Sequence, residues 1–238
     1  MDNKYLFGPV SSRRLGGSLG IDLVPYKTCD LDCIYCECGK TTCLTIERKE
    51  YVPVREVFKE LQNYLQEKPN LNFITFSGSG EPTLHSEIGR VIGFIKEFYP
   101  QYRVAVLTNS TFLHKGEVRK QLKGSDIVIP SLDAVSEEVF NKINRPHAGL
   151  VCSDVISGII KFSREFHGEI WLEIMIVPGL NDTEKELGLL KEVIQEIRPE
   201  RVQLNTLDRP GTEPWVKAAR RTDMERIAAA LGGSELIE

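Results

Sequence analysis

Five of the six cysteines, Cys29, Cys33, Cys36, Cys38 and Cys43, fall in one short segment, and only Cys152 stands apart. Thiolates are soft ligands suited to iron–sulfur clusters, zinc or copper. The first three follow a C-x3-C-x2-C pattern with Ile34 and Tyr35 before the last of them. An ordinary cubane is closed by four cysteines, so three from one loop hold three irons and leave the fourth open to a substrate or cofactor. A zinc site with Cys38 as fourth ligand is the competing reading, and an electron-transfer module without catalysis is another. Structural zinc draws on paired Cys-x2-Cys or Cys/His elements, and no histidine lies near this loop. Cys38 and Cys43 are expected to be accessory thiols, because an auxiliary cluster needs three or four thiolates and only Cys152 remains to join them.

A second constellation is Gly78-Ser79-Gly80-Glu81-Pro82. Glycines let backbone approach a ligand closely, and a carboxylate can pair with an ammonium group. In isolation the same run also reads as a glycine-rich turn ahead of a helix. Further polar loops are Thr108-Asn109-Ser110, Ser131-Leu132-Asp133, Pro178 to Asp182 and Thr206 to Gly211. Asn109 and Asp133 are equally legible as turn residues.

These residues share one property, which is that nearly all directly follow an expected strand. Short runs rich in Ile, Val, Leu and Phe predict strands over 19–24, 71–76, 103–107, 126–130, 169–177 and 201–205, as strands buried on both faces of a parallel sheet do. Amphipathic segments predict helices over 53–66, 86–98, 136–143, 150–166 and 183–197, with Thr183 and Glu186 as a capping box, and a last helix from Asp223 to Leu231. Strand–helix alternation implies right-handed βαβ units. Six units predict an α/β fold of the partial (β/α)6 TIM-like barrel type, with a doubly wound open sheet as the alternative. In a parallel barrel the loops after the strands converge on one face, where active sites are built.

Bulk properties bound the rest. The 238 residues are expected to form one domain, with a core over about 17–210, an N-terminal segment 1–16 and a C-terminal helix over about 221–231. A net charge of −4 gives no global attraction to nucleic acid or an anionic membrane. No apolar stretch reaches membrane-spanning length, and Met1 to Arg14 has no apolar signal core. A cytoplasmic location, with reduced cysteines, is therefore expected.

The cysteine spacing, the Gly-Ser-Gly-Glu run and several further stretches resemble the radical S-adenosylmethionine (SAM) superfamily, in particular its wyosine-synthase-related branch, over roughly residues 7–210. Those stretches are Gly8 to Gly16, Phe76 to His85, Leu107-Thr108-Asn109, Pro130 to Ala134, Ile143 to His147 and Val202 to Thr206. Ser79 stands where the family motif often has glycine. The resemblance implies a 4Fe–4S cluster on Cys29, Cys33 and Cys36. It implies SAM held by Tyr35, Gly78, Ser79, Gly80, Glu81, Asn109, Ser131 and Asn205, with the adenine near Met175 to Val177 and Leu204-Asn205. It further implies reductive cleavage of SAM to a 5′-deoxyadenosyl radical that takes hydrogen from a substrate, and reduced flavodoxin or ferredoxin as electron donor. The substrate is unassigned. Activation of a glycyl-radical enzyme and tRNA modification are the alternatives, and nucleic acid binding stays open. Arg13, Arg14, Lys27, Arg145, His147 and Arg209 fall on loops expected near the barrel mouth. Arg145, His147 and Arg209 are the candidate contacts to an anionic substrate group. Surface ion pairing, of Arg209 with Asp208 or Glu213, is the plainer role.

Overall fold

A computed structural model describes residues 4–237. Among these residues ten strands form, in chain order β1 (Leu6–Ser12), β2 (Gly16–Ile21), β3 (Thr28–Cys29), β4 (Cys43–Leu44), β5 (Phe73–Phe76), β6 (Arg103–Thr108), β7 (Ile127–Pro130), β8 (Glu169–Met175), β9 (Arg201–Asn205) and β10 (Glu235–Leu236). The helices are α1 (Val54–Leu65), α2 (Ile88–Phe98), α3 (Gly116–Leu122), α4 (Glu137–Ile143), α5 (Cys152–Glu165), α6 (Glu184–Ile197) and α7 (Arg221–Ala230), with a single 3-10 turn at Pro82–Leu84.

The main sheet runs β1-β2-β5-β6-β7-β8-β9-β10, parallel from β2 onward, with β1 antiparallel at one edge. Its two edges are different strands, β1 and β10. The six expected strands are β2, β5, β6, β7, β8 and β9, in the expected order, which is the partial barrel.

Alternate strand residues face opposite ways, and two packed layers result. Ile74, Phe76, Val104, Val106, Val128, Leu172 and Ile174 meet Val57, Leu61, Val91, Ile95 and Ile159 of the helices. Phe73, Ala105, Ile127, Ile129 and Trp171 form a separate cluster on the concave face. Half of the expected capping box is present: Thr183 accepts from the Glu186 amide at the start of α6, while the Glu186 carboxylate accepts the Val135 and Ser136 amides instead of closing back on Thr183.

Three elements differ from expectation. The N-terminal segment is a hairpin, because Gly16, at φ 69°, turns the chain back on itself. Its tip inserts Leu15 into the concave cluster. Helix α3 and strand β10 were not expected, and β10 is two residues long. The described part of the first segment begins at Lys4, and residues 1–3 lie outside the described residues.

Candidate functional site

The cysteine loop leaves β2 and is pinned at both ends. Thr28–Cys29 pairs with Cys43–Leu44, and Leu31 bridges to Pro146. Lys27 adopts a left-handed backbone, φ 54°, and is 2% exposed. Such a conformation is uncommon for a residue with a Cβ. Here it turns the ammonium inward, where Nζ donates to Cys36 Sγ at 3.1 Å.

Each of the three C-x3-C-x2-C sulfurs faces a nitrogen donor. Asn109 Nδ2 lies 3.7 Å from Cys29 Sγ, Asn144 Nδ2 lies 3.5 Å from Cys33 Sγ, and Lys27 holds Cys36. Burial pushes the Cys29 and Cys33 thiols up, assisted by the nearby carboxylates of Asp30 and Asp133. Cys36 is instead lowered to about 5, first by a hydrogen bond from Cys38 and then by Lys27. Among the described residues, no three His, Cys, Asp or Glu side chains converge where a single metal ion could sit. Cys38 and Cys43 are exposed, and Cys152 is buried with Sγ directed at the Ala134 carbonyl.

Around the loop a network of buried carboxylates orients these groups. Tyr35 Oη donates to Asp133 Oδ2 at 2.5 Å, and Asn144 Nδ2 and the Met175 amide donate to the same carboxylate. Asp30, fully buried, accepts from Asn109 Nδ2 at 2.6 Å and from the Thr111 hydroxyl. Burial raises both Asp30 and Asp133. Asp133 is thus a positioning group for Tyr35 and not simply a turn residue.

Glu81 takes a different place from the one expected. Its carboxylate is 2% exposed and accepts from the Thr83 amide and hydroxyl, Thr108 Oγ1 and the Asn109 amide. Burial and the neighbouring Asp30 raise it to about 7. All these bonds point into the protein, so the carboxylate fastens the loop after β5 to the loop after β6. Gly80 next to it packs where a Cβ would lie 1.9 Å from the Thr28 carbonyl. Ser79 donates through both amide and hydroxyl to Asp22 Oδ2, at 3.0 and 2.8 Å. Gly78 offers its carbonyl 4.0 Å from Cys38 Sγ.

The remaining expected residues divide into two groups. Ser131, Asn109, Tyr35, Asp133 and Asn144 line one small inner cavity. Asn205 donates to Glu173 of β8, which also meets Arg14 Nη1 at 2.5 Å. The expected anion contacts do not come together as free cations. Arg145, at φ 45°, lies 2.5 Å from Glu213. Arg209 is largely exposed and 3.7 Å from Glu37, while Asp208 pairs with Arg13. His147 accepts the Gly149 amide on Nδ1 and donates its own amide to Asp30 O. These side chains hold loops together, which corrects the expectation of a positive mouth.

The sequence reading missed Asp22, Asp30 and the Arg14–Glu173 pair. Glu173 left a trace, since a charged residue inside the apolar run 169–177 requires a partner when buried. Asp30 left none, because an acid after a cysteine reads as ordinary loop.

A family profile described as the radical SAM superfamily matches residues 23–190. A UPF0026 protein of Methanocaldococcus jannaschii is 35% identical over 225 residues, covering 94% of this chain and 70% of that protein. A Brachyspira hyodysenteriae protein named GTPase Obg is 39% identical over 226 residues, and there the chain spans 95% of its own length but 33% of the relative's. Among solved structures, TYW1 with a lysine–pyruvate adduct bound superposes with a TM-score of 0.67 at 13% identity, over 92% of this chain and 74% of that one. It shares the fold. The profile covers most of the cysteine-bearing barrel just described, and on that match and the UPF0026 relative, the chain belongs to the radical SAM superfamily, whose enzymes use a 4Fe–4S cluster and S-adenosylmethionine.

Proposed function

We propose that the chain cleaves SAM reductively at a 4Fe–4S cluster held by Cys29, Cys33 and Cys36, and that the resulting radical takes hydrogen from a bound substrate. The observation that carries this reading is the pairing of each of those sulfurs with a nitrogen donor, from Asn109, Asn144 and Lys27. Such donors favour the thiolate, the form that binds metal. The donor set is also of the right kind, with three soft sulfurs on one loop.

Cys29, Cys33 and Cys36 would hold the cluster, which when bound and reduced would supply the electron that splits SAM into methionine and the 5′-deoxyadenosyl radical. The protein's own part is to hold and enclose. Lys27 offsets negative charge gathered on the sulfurs. Tyr35, fixed by Asp133, covers the loop from within the barrel. The Gly78–Ser79 backbone, anchored by Asp22, presents carbonyls at the barrel mouth, and Asn109, Ser131 and Asn205 offer polar atoms to a ribose or carboxylate.

Radical SAM enzymes need a reductant, and we read it here as a reduced flavodoxin or ferredoxin in the cytoplasm. No helix among the described residues is long and apolar enough to cross a membrane. After anaerobic reconstitution, the protein is expected to bind about four irons per chain and to form 5′-deoxyadenosine from SAM and dithionite. Changing any of Cys29, Cys33 or Cys36 to Ala should abolish that product. Stoichiometric zinc in place of iron, or undiminished product from all three variants, would overturn the reading.

A further inference from the structure

A cavity of about 890 Å3 opens beside the cysteine loop, and most of its lining has no part in the site described above. Phe7 of β1, Asp22 after β2, Tyr26 and Cys38 of the cysteine loop, Tyr51 before α1 and Ser79 after β5 converge on it. We propose that this cavity receives the substrate, and that the substrate is a planar ring with a hydrogen-bond-donating nitrogen edge. The proposal rests on the SAM-cleaving role argued above and adds to it the class of molecule attacked.

Asp22 supplies the polarity. Its Oδ2 accepts twice from Ser79, and its Oδ1 accepts only the Val24 amide at 3.3 Å. A carboxylate has about four lone-pair sites, so acceptor capacity is left on Oδ1. Among the described residues none of its partners is a cation. A carboxylate with spare capacity at the wall of a largely apolar cavity is matched by an N–H or N⁺–H edge.

The rings supply the shape. Phe7 is 38% exposed and Tyr26 70% exposed, both unusual for large apolar side chains, and both face this one space. Neither is loose. The Phe7 ring rests against Gly20, where a Cβ would come within 2.1 Å of it. The Tyr26 hydroxyl is tied to the Cys38 carbonyl at 2.8 Å. Exposed but immobilised rings are platforms for flat ligands, at little entropic cost on binding. Among the described residues a planar anion finds only Lys4 as a lining cation, and Lys4 Nζ already sits 5.2 Å over the Tyr5 ring. Arg13, Arg14, Arg145 and Arg209 are committed to acids elsewhere.

The test is calorimetric titration of cluster-loaded, SAM-saturated protein with three probes. They are 2-aminobenzimidazole, which is planar with a donor edge, benzoate, which is planar and anionic, and cyclohexylamine, which is cationic and not planar. The first should bind at least tenfold more tightly than either of the others. Asp22→Asn and Phe7→Ala should each weaken it at least tenfold, with iron per chain showing that the variants fold. If Asp22→Asn does not fold, Phe7→Ala decides. Equal binding of benzoate or cyclohexylamine, unchanged binding in the folded variants, or displacement of the probe by SAM would overturn the proposal. Failure of SAM cleavage with probe binding intact counts against the SAM-cleaving role alone.

Discussion

His85 shows how a histidine close to a glycine-rich site can be wholly structural. It is completely buried, its Nε2 lies 2.9 Å from the Val52 carbonyl, and its Nδ1 accepts the Glu87 amide at 3.2 Å. That pattern is satisfied only by the neutral ring, and burial lowers its pKa below the ordinary histidine value. The folded state therefore binds fewer protons than the unfolded state once the pH drops below about 6.5. The histidine's contribution is complete above that pH and is lost as pH falls through the lowered folded value. Glu81, raised to about 7, acts in the opposite sense, so the histidine's share is read against a variant: the stability that the native protein holds over His85→Gln should be smaller at pH 5.5 than at pH 7.5 in thermal unfolding. An advantage that does not change with pH would remove this assignment. Among the chemical residues, the cysteine triplet was legible because thiol spacing is a chemical constraint visible in one dimension. The direction of the Glu81 carboxylate was not, because a buried cap and a ligand-facing acid have the same sequence. Only the four inward hydrogen bonds separate them.

Among the elements, the β1–β2 hairpin carries the feature least visible beforehand. Its tip crosses from one edge of the sheet toward the other, with Arg13 meeting Asp208 beyond β9, Arg14 meeting Glu173 on β8, and Leu15 entering the concave cluster. Arg13–Asp208 is half-exposed, so it contributes little. The Arg14 and Glu173 side chains are 18% and 15% exposed, so removing one strands the other. By the usual cost of breaking such a buried pair, Arg14→Ala should destabilise by about 3 kcal/mol in urea unfolding. The Arg14→Ala, Glu173→Gln double variant should lose less than the sum of the single changes. Additive losses would show that the pair is not coupled. The six parallel strands were legible because burial on both faces makes them continuous apolar runs. The hairpin was not, since its apolar residues are few and its partners lie far along the chain.

On the scale of the whole molecule, the stretch that follows β9 returns to the cysteine loop. Glu213 donates its amide to the Ile34 carbonyl, Thr212 donates to the Cys36 carbonyl, and Val216 packs with Ile34 and Ile143. Gly211 lies so close that a Cβ would come 2.7 Å from the Tyr35 backbone. A ligand that favours the folded cysteine loop therefore also favours closure of this stretch, by linkage. Gly211→Val should lower iron per chain after reconstitution, with the helical content of the barrel retained in circular dichroism. Removing the cluster from the native protein should speed tryptic cleavage at Lys217. Normal iron loading of Gly211→Val, together with cleavage indifferent to the cluster, would show that the two segments are not linked. The barrel order was readable from alternating periods, but this closure was not, because its contacts are mostly backbone.

The contact between Thr212 and Cys36 spans 176 residues of chain. In a protein made from its N-terminus, the three thiols leave the ribosome well before the residues that cover them. Throughout that interval the cysteine loop stands against a growing barrel with nothing over it. Order of synthesis thus orders loading: metal and sulfide meet an open loop before residues 211–216 arrive, and afterwards a covered one that must open to admit them.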